Sequence, residues 1–321
     1  MIDYIDIIKH LTDKDTISLV HLQEEASYCT GWIKYYLEGC RKVEVWINKN
    51  LSSLRLKGSI MYFYQGHNFA YSRKLFVEAI NYIEKLLKCD LWSATVETFE
   101  FGVILEAIRK PKDYIQKHKE KSTEKLIMNE KNRDKGSFRW WTDKKVKIKM
   151  YDAGKNIQHK QGTSMKQIIV DAGWNPNNNY IKMEVHYIKP HQTLNKGAAI
   201  QLANLVNPKW ESIFKEDLFV QYQRLSPMKN LILPTEKKDI STADIIMIEL
   251  VESKINEGCS IHEIKKMLYG RINTFTETLS ENDKKARKRQ IKALIDKLSE
   301  SDISEWDLSN VLSRELFQDS E

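Results

Sequence analysis

Two hydrophobic periods alternate along the chain. Residues 43–48 (VEVWIN) and 54–64 (LRLKGSIMYFY) are runs of β-branched and aromatic residues that predict strands. From Ser72, a good N-cap, Phe76, Ile80, Ile83 and Leu87 recur at three- and four-residue steps and predict a helix. Residues 92–105 predict another strand, with Glu97 and Glu100 on opposite faces. Residues 146–151 place Lys147, Lys149 and Tyr151 on one face and Val146, Ile148 and Met150 on the other. The chain then turns away through Asp152, Ala153 and Gly154. A short helix is predicted at 164–173, stopping at Gly173. The cleanest strand is 179–189, where Ile181, Met183, Val185 and Tyr187 alternate with Lys182, Glu184 and His186.

After Pro234 the period becomes helical. A helix is predicted from an N-cap at Ser241 or Thr242 to Gly258. The next begins with Ser260 and Glu263 at capping-box spacing and stops at Gly270. This pair reads either as a helix-turn-helix or as a simple helical bundle. A third helix covers 280–298, and a short one lies near 306–317. The expected fold is therefore α+β: an antiparallel central sheet flanked by helices over residues 1–230, then a helical C-terminal domain over 235–321.

Composition changes this picture little. The 321 residues are 41% hydrophobic and 30% charged, with mean hydropathy -0.52, an ordinary globular balance. No apolar run reaches the roughly 20 residues that span a bilayer, so no membrane association is expected. The first residues, MIDYIDIIKHLTDKD, mix acids with apolar residues and do not read as a signal peptide. The four cysteines are scattered without a CxxC pair, which argues against structural zinc and for free thiols in a reducing, cytoplasmic compartment.

Charge changes it more. Residues 109–160 hold 17 Lys+Arg against 7 Asp+Glu, within a chain of net charge +7. A basic middle on a near-neutral body suggests a polyanion such as nucleic acid. It also fits a solvated insertion at about 109–145. Aromatics interleave with the basic run: Trp140 and Trp141 stand among Arg139, Lys144, Lys145, Lys147 and Lys149. Such a mixture suits unpaired bases and their backbone. The tryptophans are otherwise core residues, although adjacent positions on a strand cannot both face one core.

If the strands at 92–105, 146–151 and 179–189 are neighbours, their polar faces gather a tyrosine, carboxylates, a histidine and lysines. Carboxylate and imidazole donors suit Mg²⁺ or Mn²⁺, and such an ion would activate a phosphodiester. Half-buried strands with solvated polar faces give the same alternation. No Walker-type phosphate loop, GxSxG or HExxH is present.

The order of segments over about residues 50–190 resembles the rolling-circle replication initiators of the filamentous-phage gene II type and their plasmid relatives, within the HUH-type endonuclease superfamily. The resemblance rests on KGSIMYFYQGHNF, DLWSATVETFEFGV, KIKMYDAGK and YIKMEVHYIK. Thr98-Phe99-Glu100 stands at an "RID"-like triplet, Tyr151-Asp152-Ala153 at a "Y-D-K" element and Lys182-Met183-Glu184 at an "R-F-E" element. Glu100 replaces an Asp, Thr98 a basic residue and Ala153 a Lys, with Lys155 close by. A His-hydrophobic-His pair is absent. The resemblance implies site-specific nicking of single-stranded and origin DNA in a bacterial host, with Tyr151 as nucleophile assisted by Lys155. It implies a divalent metal held by Glu100, Glu184, His186 and His67. The C-terminal helices would bind origin duplex or a host helicase. A DNA-binding regulator without chemistry and a relaxase-type nickase are the alternatives. Oligomeric state is open.

Overall fold

The computed structural model describes residues 1–13, 15–69, 71–118, 120–121, 127–130, 138–160, 169–226, 241–256, 259, 261–275, 278–298 and 306–317. Its centre is a ten-stranded antiparallel sheet. The strands are β1 (Ile2–His10), β2 (Leu22–Ser27), β3 (Trp32–Leu37), β4 (Cys40–Asn48), β5 (Ser53–Gly58), β6 (Thr95–Ala107), β8 (Ile127–Glu130), β9 (Phe138–Thr142), β10 (Val146–Asp152) and β11 (Asn179–Tyr187). A separate pair joins β7 (Glu120–Lys121) to β12 (Leu225–Ser226). The order in the large sheet is β2-β3-β4-β5-β1-β6-β11-β10-β9-β8. Strands 92–105, 146–151 and 179–189 of the sequence are thus adjacent, as β6, β10 and β11.

Register decides which residues share a face, because side chains alternate with period two. Ile5 lies opposite Phe99, Phe101 opposite Val185 and Val146 opposite Tyr187. These residues form one face of the sheet, and all are buried. Helix α7 (Pro208–Gln223) covers part of it: the Phe214 ring sits 5.1 Å from Phe99 and 5.6 Å from Phe101. Burying a side chain of this size contributes about 1.5–3 kcal/mol. The other face carries Glu100, Gly102, Lys149, Tyr151, Lys182, Glu184 and His186. Helix α4 (Ala153–Lys160) packs on β11 at one end of this face, in a cluster of Ala153, Ile157, Ile169, Trp174 and Tyr180.

The helices flanking this end start and stop for local reasons. The predicted strand over 54–64 ends early, at Gly58, and helix α1 (Ile60–Gln65) takes the apolar run IMYFY. Gly58 has φ +148, and a Cβ there would meet the Lys42 carbonyl oxygen at 2.1 Å. Only glycine fits this crossing. Helix α2 (Arg73–Leu87) begins where expected, with the Ser72 hydroxyl accepting from the Leu75 N–H at 3.1 Å. At the end of β10 the chain does not leave through a turn. Asp152 Oδ1 instead accepts from the Lys155 N–H at 2.9 Å and caps α4. Of the helix expected at 164–173, residues 169–171 are helical and Gly173 follows at φ +98, while 164–168 lie outside the described residues. The remaining short helices are α3 (Pro111–Lys117), α5 (Pro190–Leu194) and α6 (Leu202–Leu205).

The chain divides into two compact units: Met1–Pro111, Lys125–Tyr222 and Val311–Glu321 in the first, and Lys112–Glu124 and Gln223–Asn310 in the second. The second unit differs from the expected C-terminal domain. It takes in part of the basic insertion and the β7–β12 pair, while the last residues belong with the sheet. Its helices are α8 (Thr242–Asn256), α9 (Ile261–Thr274) and α10 (Glu281–Leu298), with α11 (Ser309–Phe317) beginning at the boundary. Val251, Ile264, Leu268 and Ile295 form their shared core. Helix α9 passes through Gly270 rather than stopping there. Its buried stripe of Ile264, Leu268 and Ile272 extends beyond the glycine and outweighs the roughly 1 kcal/mol glycine cost. No described helix is long and apolar enough to cross a membrane.

Replacing Gly58 by Ala should destabilise the first unit by about 2–3 kcal/mol, since the new Cβ strains a left-handed backbone against a carbonyl. Urea unfolding followed by circular dichroism measures this as a lowered midpoint. An unchanged midpoint would contradict the packing described.

Candidate functional site

The site begins with Lys182, Glu184 and His186, which alternate on the polar face of β11. Across from them, β10 places Lys149 opposite Glu184 and Tyr151 opposite Lys182. On the other side, β6 places Gly102 opposite Glu184 and Glu100 opposite His186. Strand β1 contributes through an irregularity: its register against β6 shifts between Ile2 and Ile5. Asp3 and Tyr4 both reach the site from there. Asp3 pairs with Lys182, and the Tyr4 ring lies 6.1 Å from His186.

The contacts form one network. The Lys182 ammonium pairs with Asp3 and lies 2.6 Å from Glu184 Oε1. The Lys149 ammonium pairs with Glu100 and lies 3.6 Å from Glu184 Oε2. The Tyr151 hydroxyl donates to Glu184 Oε1 at 3.0 Å. His186 Nδ1 lies 2.8 Å from Glu100 Oε1. Asn68 Nδ2 donates to Asp3 Oδ2 at 2.9 Å, and the Ser59 hydroxyl donates to Asp3 Oδ1 at 3.0 Å. The side chains of Lys182 and Glu184 are each 2% exposed, while His186 at 22% marks the more open side.

Gly102 makes room for Glu184. A Cβ at position 102 would meet the Met183 carbonyl oxygen at 2.5 Å and Glu184 Cγ at 2.7 Å. The FEFG segment therefore combines a charged ligand position with the gap its neighbour needs.

Burial and charge pull these groups in different directions. Burial raises the Glu184 carboxyl to about 7, helped by the negative charge of Asp3 and opposed by Lys182 and Lys149. Burial also acts on Asp3, but Lys182 and the hydrogen bonds to its carboxylate hold it well below the usual range. Glu100 is likewise lowered, with burial opposed by His186 and Lys149. Both lysines are raised: their carboxylate partners outweigh burial. Burial pushes the Tyr151 phenol well above its ordinary value, against the pull of Lys182.

Three of the expected metal ligands come together: Glu100, Glu184 and His186. His67 does not join them. It is buried with Nδ1 3.0 Å from the Phe69 carbonyl oxygen. Its neighbour Asn68 reaches the site instead, through Asp3. Asp3, Glu100 and Glu184 each offer an oxygen, all within 4.8 Å of one another. Asp3 escaped sequence reasoning because it lies about a hundred residues from Glu100. The only available signal was an acid alternating with isoleucines in MIDYIDI. Lys155 is exposed in the first turn of α4.

The expected DNA track needs correction. Arg139 and Trp141 are 1% and 0% exposed, on the buried face of β9, so neither offers a surface to DNA. Trp140 is half-buried and shares the site's face through its pairing with Lys149. Lys149 itself is committed to Glu100. Lys144 and Lys145 are exposed at the β9–β10 turn, where Asp143 Oδ1 accepts from the Lys145 and Val146 N–H groups at 2.7 and 2.9 Å; Lys147 is half-buried.

Comparison of the chain with protein-family models, with curated proteins and with solved structures finds no match to any of them.

The raised Glu184 carboxyl has a definite sign in stability. A carboxyl whose folded value lies above its unfolded one stabilises the fold when protonated. That contribution is complete below about 4.5 and is lost as pH rises through about 7. Wild type should therefore lose stability across this window relative to Glu184→Gln. Carboxyl-detected NMR should find one glutamate titrating near 7 that disappears in the variant. A Glu184 midpoint near 4.5 would refute the described burial.

Proposed function

We propose that this chain is a metal-assisted single-strand DNA nickase and strand transferase of the rolling-circle initiator type, on an HUH-endonuclease-like sheet. One observation carries the reading: the Tyr151 phenol donates at 3.0 Å to a carboxylate inside an acidic triad. This tyrosine, Glu100 and Glu184 are also residues that the resemblance singles out.

Asp3, Glu100 and Glu184 suit a hard divalent cation such as Mg²⁺ or Mn²⁺, which prefers oxygen donors. Two ammonium groups balance only part of three carboxylates, and burial, helped by the negative charge of Asp3, raises Glu184 to about 7. His186 would orient Glu100 through its 2.8 Å contact. A cation held there would polarise the scissile phosphodiester and stabilise the charge that develops on it.

The chain's own groups do the rest. Tyr151 Oη attacks the phosphorus, and its proton passes to Glu184 Oε1. The bond from phosphorus to the 3′ oxygen breaks, and Glu184 passes the proton on to that oxygen, which leaves as a free 3′-hydroxyl. A 5′-phosphotyrosine remains, and the reverse attack reseals the strand. Glu184 Oε1, 3.0 Å from the phenol oxygen, is placed to take that proton and to return it. The nearby Lys182 ammonium favours the phenolate. Helix α10, with Lys285, Arg287 and Arg289 exposed, is available to contact duplex DNA or a protein partner.

Incubated with randomised single-stranded oligonucleotides and Mn²⁺, wild type should form a covalent adduct that mass mapping places on Tyr151. Tyr151→Phe should form none. If wild type forms no adduct, the enzymatic reading is wrong and a DNA-binding regulator takes its place. Glu184→Ala should lower cleavage at least about a hundredfold, as expected for loss of a proton acceptor and cation ligand together. Salt-sensitive binding should stay within about threefold. An equal loss of both would make Glu184 structural.

A further inference from the structure

The polar face that carries the triad continues across β1 to β5, β4 and β3. There Lys57 lies opposite both Asp6 and Glu44, Arg55 opposite Trp46, and Trp46 opposite Lys34. Side chains from these positions form an aromatic and charged array, in which Lys34 pairs with Glu25 and Glu44 at 2.7 and 2.9 Å and Arg55 pairs with Asp6 at 2.7 Å. The Lys34 ammonium lies 4.8 Å from the Tyr36 ring centroid and 5.6 Å from that of Trp46. Lys57 lies 4.9 Å from the Trp46 ring, and Arg41 lies 5.6 Å from the Tyr36 ring. Tyr28, exposed, stacks on Trp46 at 5.1 Å. The opposite face of the same strands is apolar and buried: Val43, Val45, Leu54 and Leu56 are each 0% exposed. The alternation therefore spends its tryptophan and tyrosine on the outer face, where burial does not demand them.

We propose that this outer face of β3, β4 and β5 is a binding platform for single-stranded DNA, leading into the Tyr151 site. The proposal deepens the nickase reading and rests on it for the direction of the strand. Two observations select the occupant. Aromatic rings flanked by Lys57 and Arg41, which take no part in those ion pairs, suit unpaired bases and a phosphate backbone together. The array is also continuous with the site through Tyr4, whose ring lies against His186. On the far side of the site, Trp140 and Phe138 extend the same face, 5.4 Å apart. The strand would thus pass from Trp46 across the triad toward Trp140. This places the nucleic-acid contact on β3, β4 and β5, upstream of the basic run at 109–160.

The test measures the affinity of full-length protein for fluorescein-labelled oligothymidylate by anisotropy, across a salt series. Trp46→Ala should weaken binding about five- to one-hundredfold, the range for losing one stacked base. Lys57→Glu, at a half-buried position on the same array, should weaken binding and flatten its salt dependence. It serves as the independent variant should Trp46→Ala unfold, which circular dichroism would reveal. Arg139→Gln, on the buried face, should leave affinity unchanged if it folds. Unchanged affinity in folded Trp46→Ala and Lys57→Glu would overturn the platform. Equal wild-type affinity for duplex of the same length would also overturn it, since stacking requires unpaired bases. Adduct formation at Tyr151 separates the two readings. Adducts with unaltered platform affinity would leave the nickase without this platform. Platform-dependent binding without adducts would keep the platform and remove the nickase.

Discussion

The buried contact between Lys182 and Glu184 organises the centre of this protein. Two opposite charges, each 2% exposed, sit two residues apart on one central strand. Neither is tolerable alone, because an unpaired buried charge costs several kcal/mol. Their presence therefore demands further partners. Asp3 and Asn68 arrive from one side, Tyr151 and Lys149 from the other, and Glu100 and His186 close the network. The irregularity in β1, the glycine at 102 and the hydrogen bond from Asn68 to Asp3 all serve this one buried polar network.

That arrangement is poor economy for stability alone. Apolar side chains of similar volume at 182 and 184 would avoid the desolvation of two ions. A network held at such cost, with one carboxyl near neutrality and a phenol bonded to it, is the kind of perturbed cluster that accompanies chemistry. The same sheet presents an outer face of aromatic rings and ion-paired side chains beside it. Both features sit on one side because the opposite side is committed to Phe99, Phe101, Tyr187 and Phe214.

The resemblance to replication initiators and the geometry bear on each other without either resting on a matched relative. Short motifs at 98–100, 151–153 and 182–184 are degenerate when read separately. Their meeting on three adjacent strands is a physical fact independent of the resemblance. The departures become intelligible as well. Ala153 is 3% exposed at the start of α4, in an apolar cluster where a lysine could not be accommodated without an ion partner. Lys149 and Lys182 place their ammonium groups beside Glu100, Asp3 and Glu184 from within the strands.

Local pattern alone determined much of the scaffold. The period-two alternation in 179–189 and 146–151 set the faces of β11 and β10, and Ser72 set the start of α2, because these depend on neighbouring residues only. The break at Gly58 and the passage of α9 through Gly270 depended on distant contacts: a crossing by Lys42 in one case, a continuing buried stripe in the other. The same division holds for the site. Tyr151, Glu100 and Glu184 were legible as polar positions on alternating strands. Asp3, Asn68 and the ion-paired state of Lys149 were not, since sheet order β1-β6-β11-β10 alone brings them together. Tertiary structure also reversed the reading of Arg139 and Trp141, because alternation tells which residues share a face, and only packing tells which face is covered.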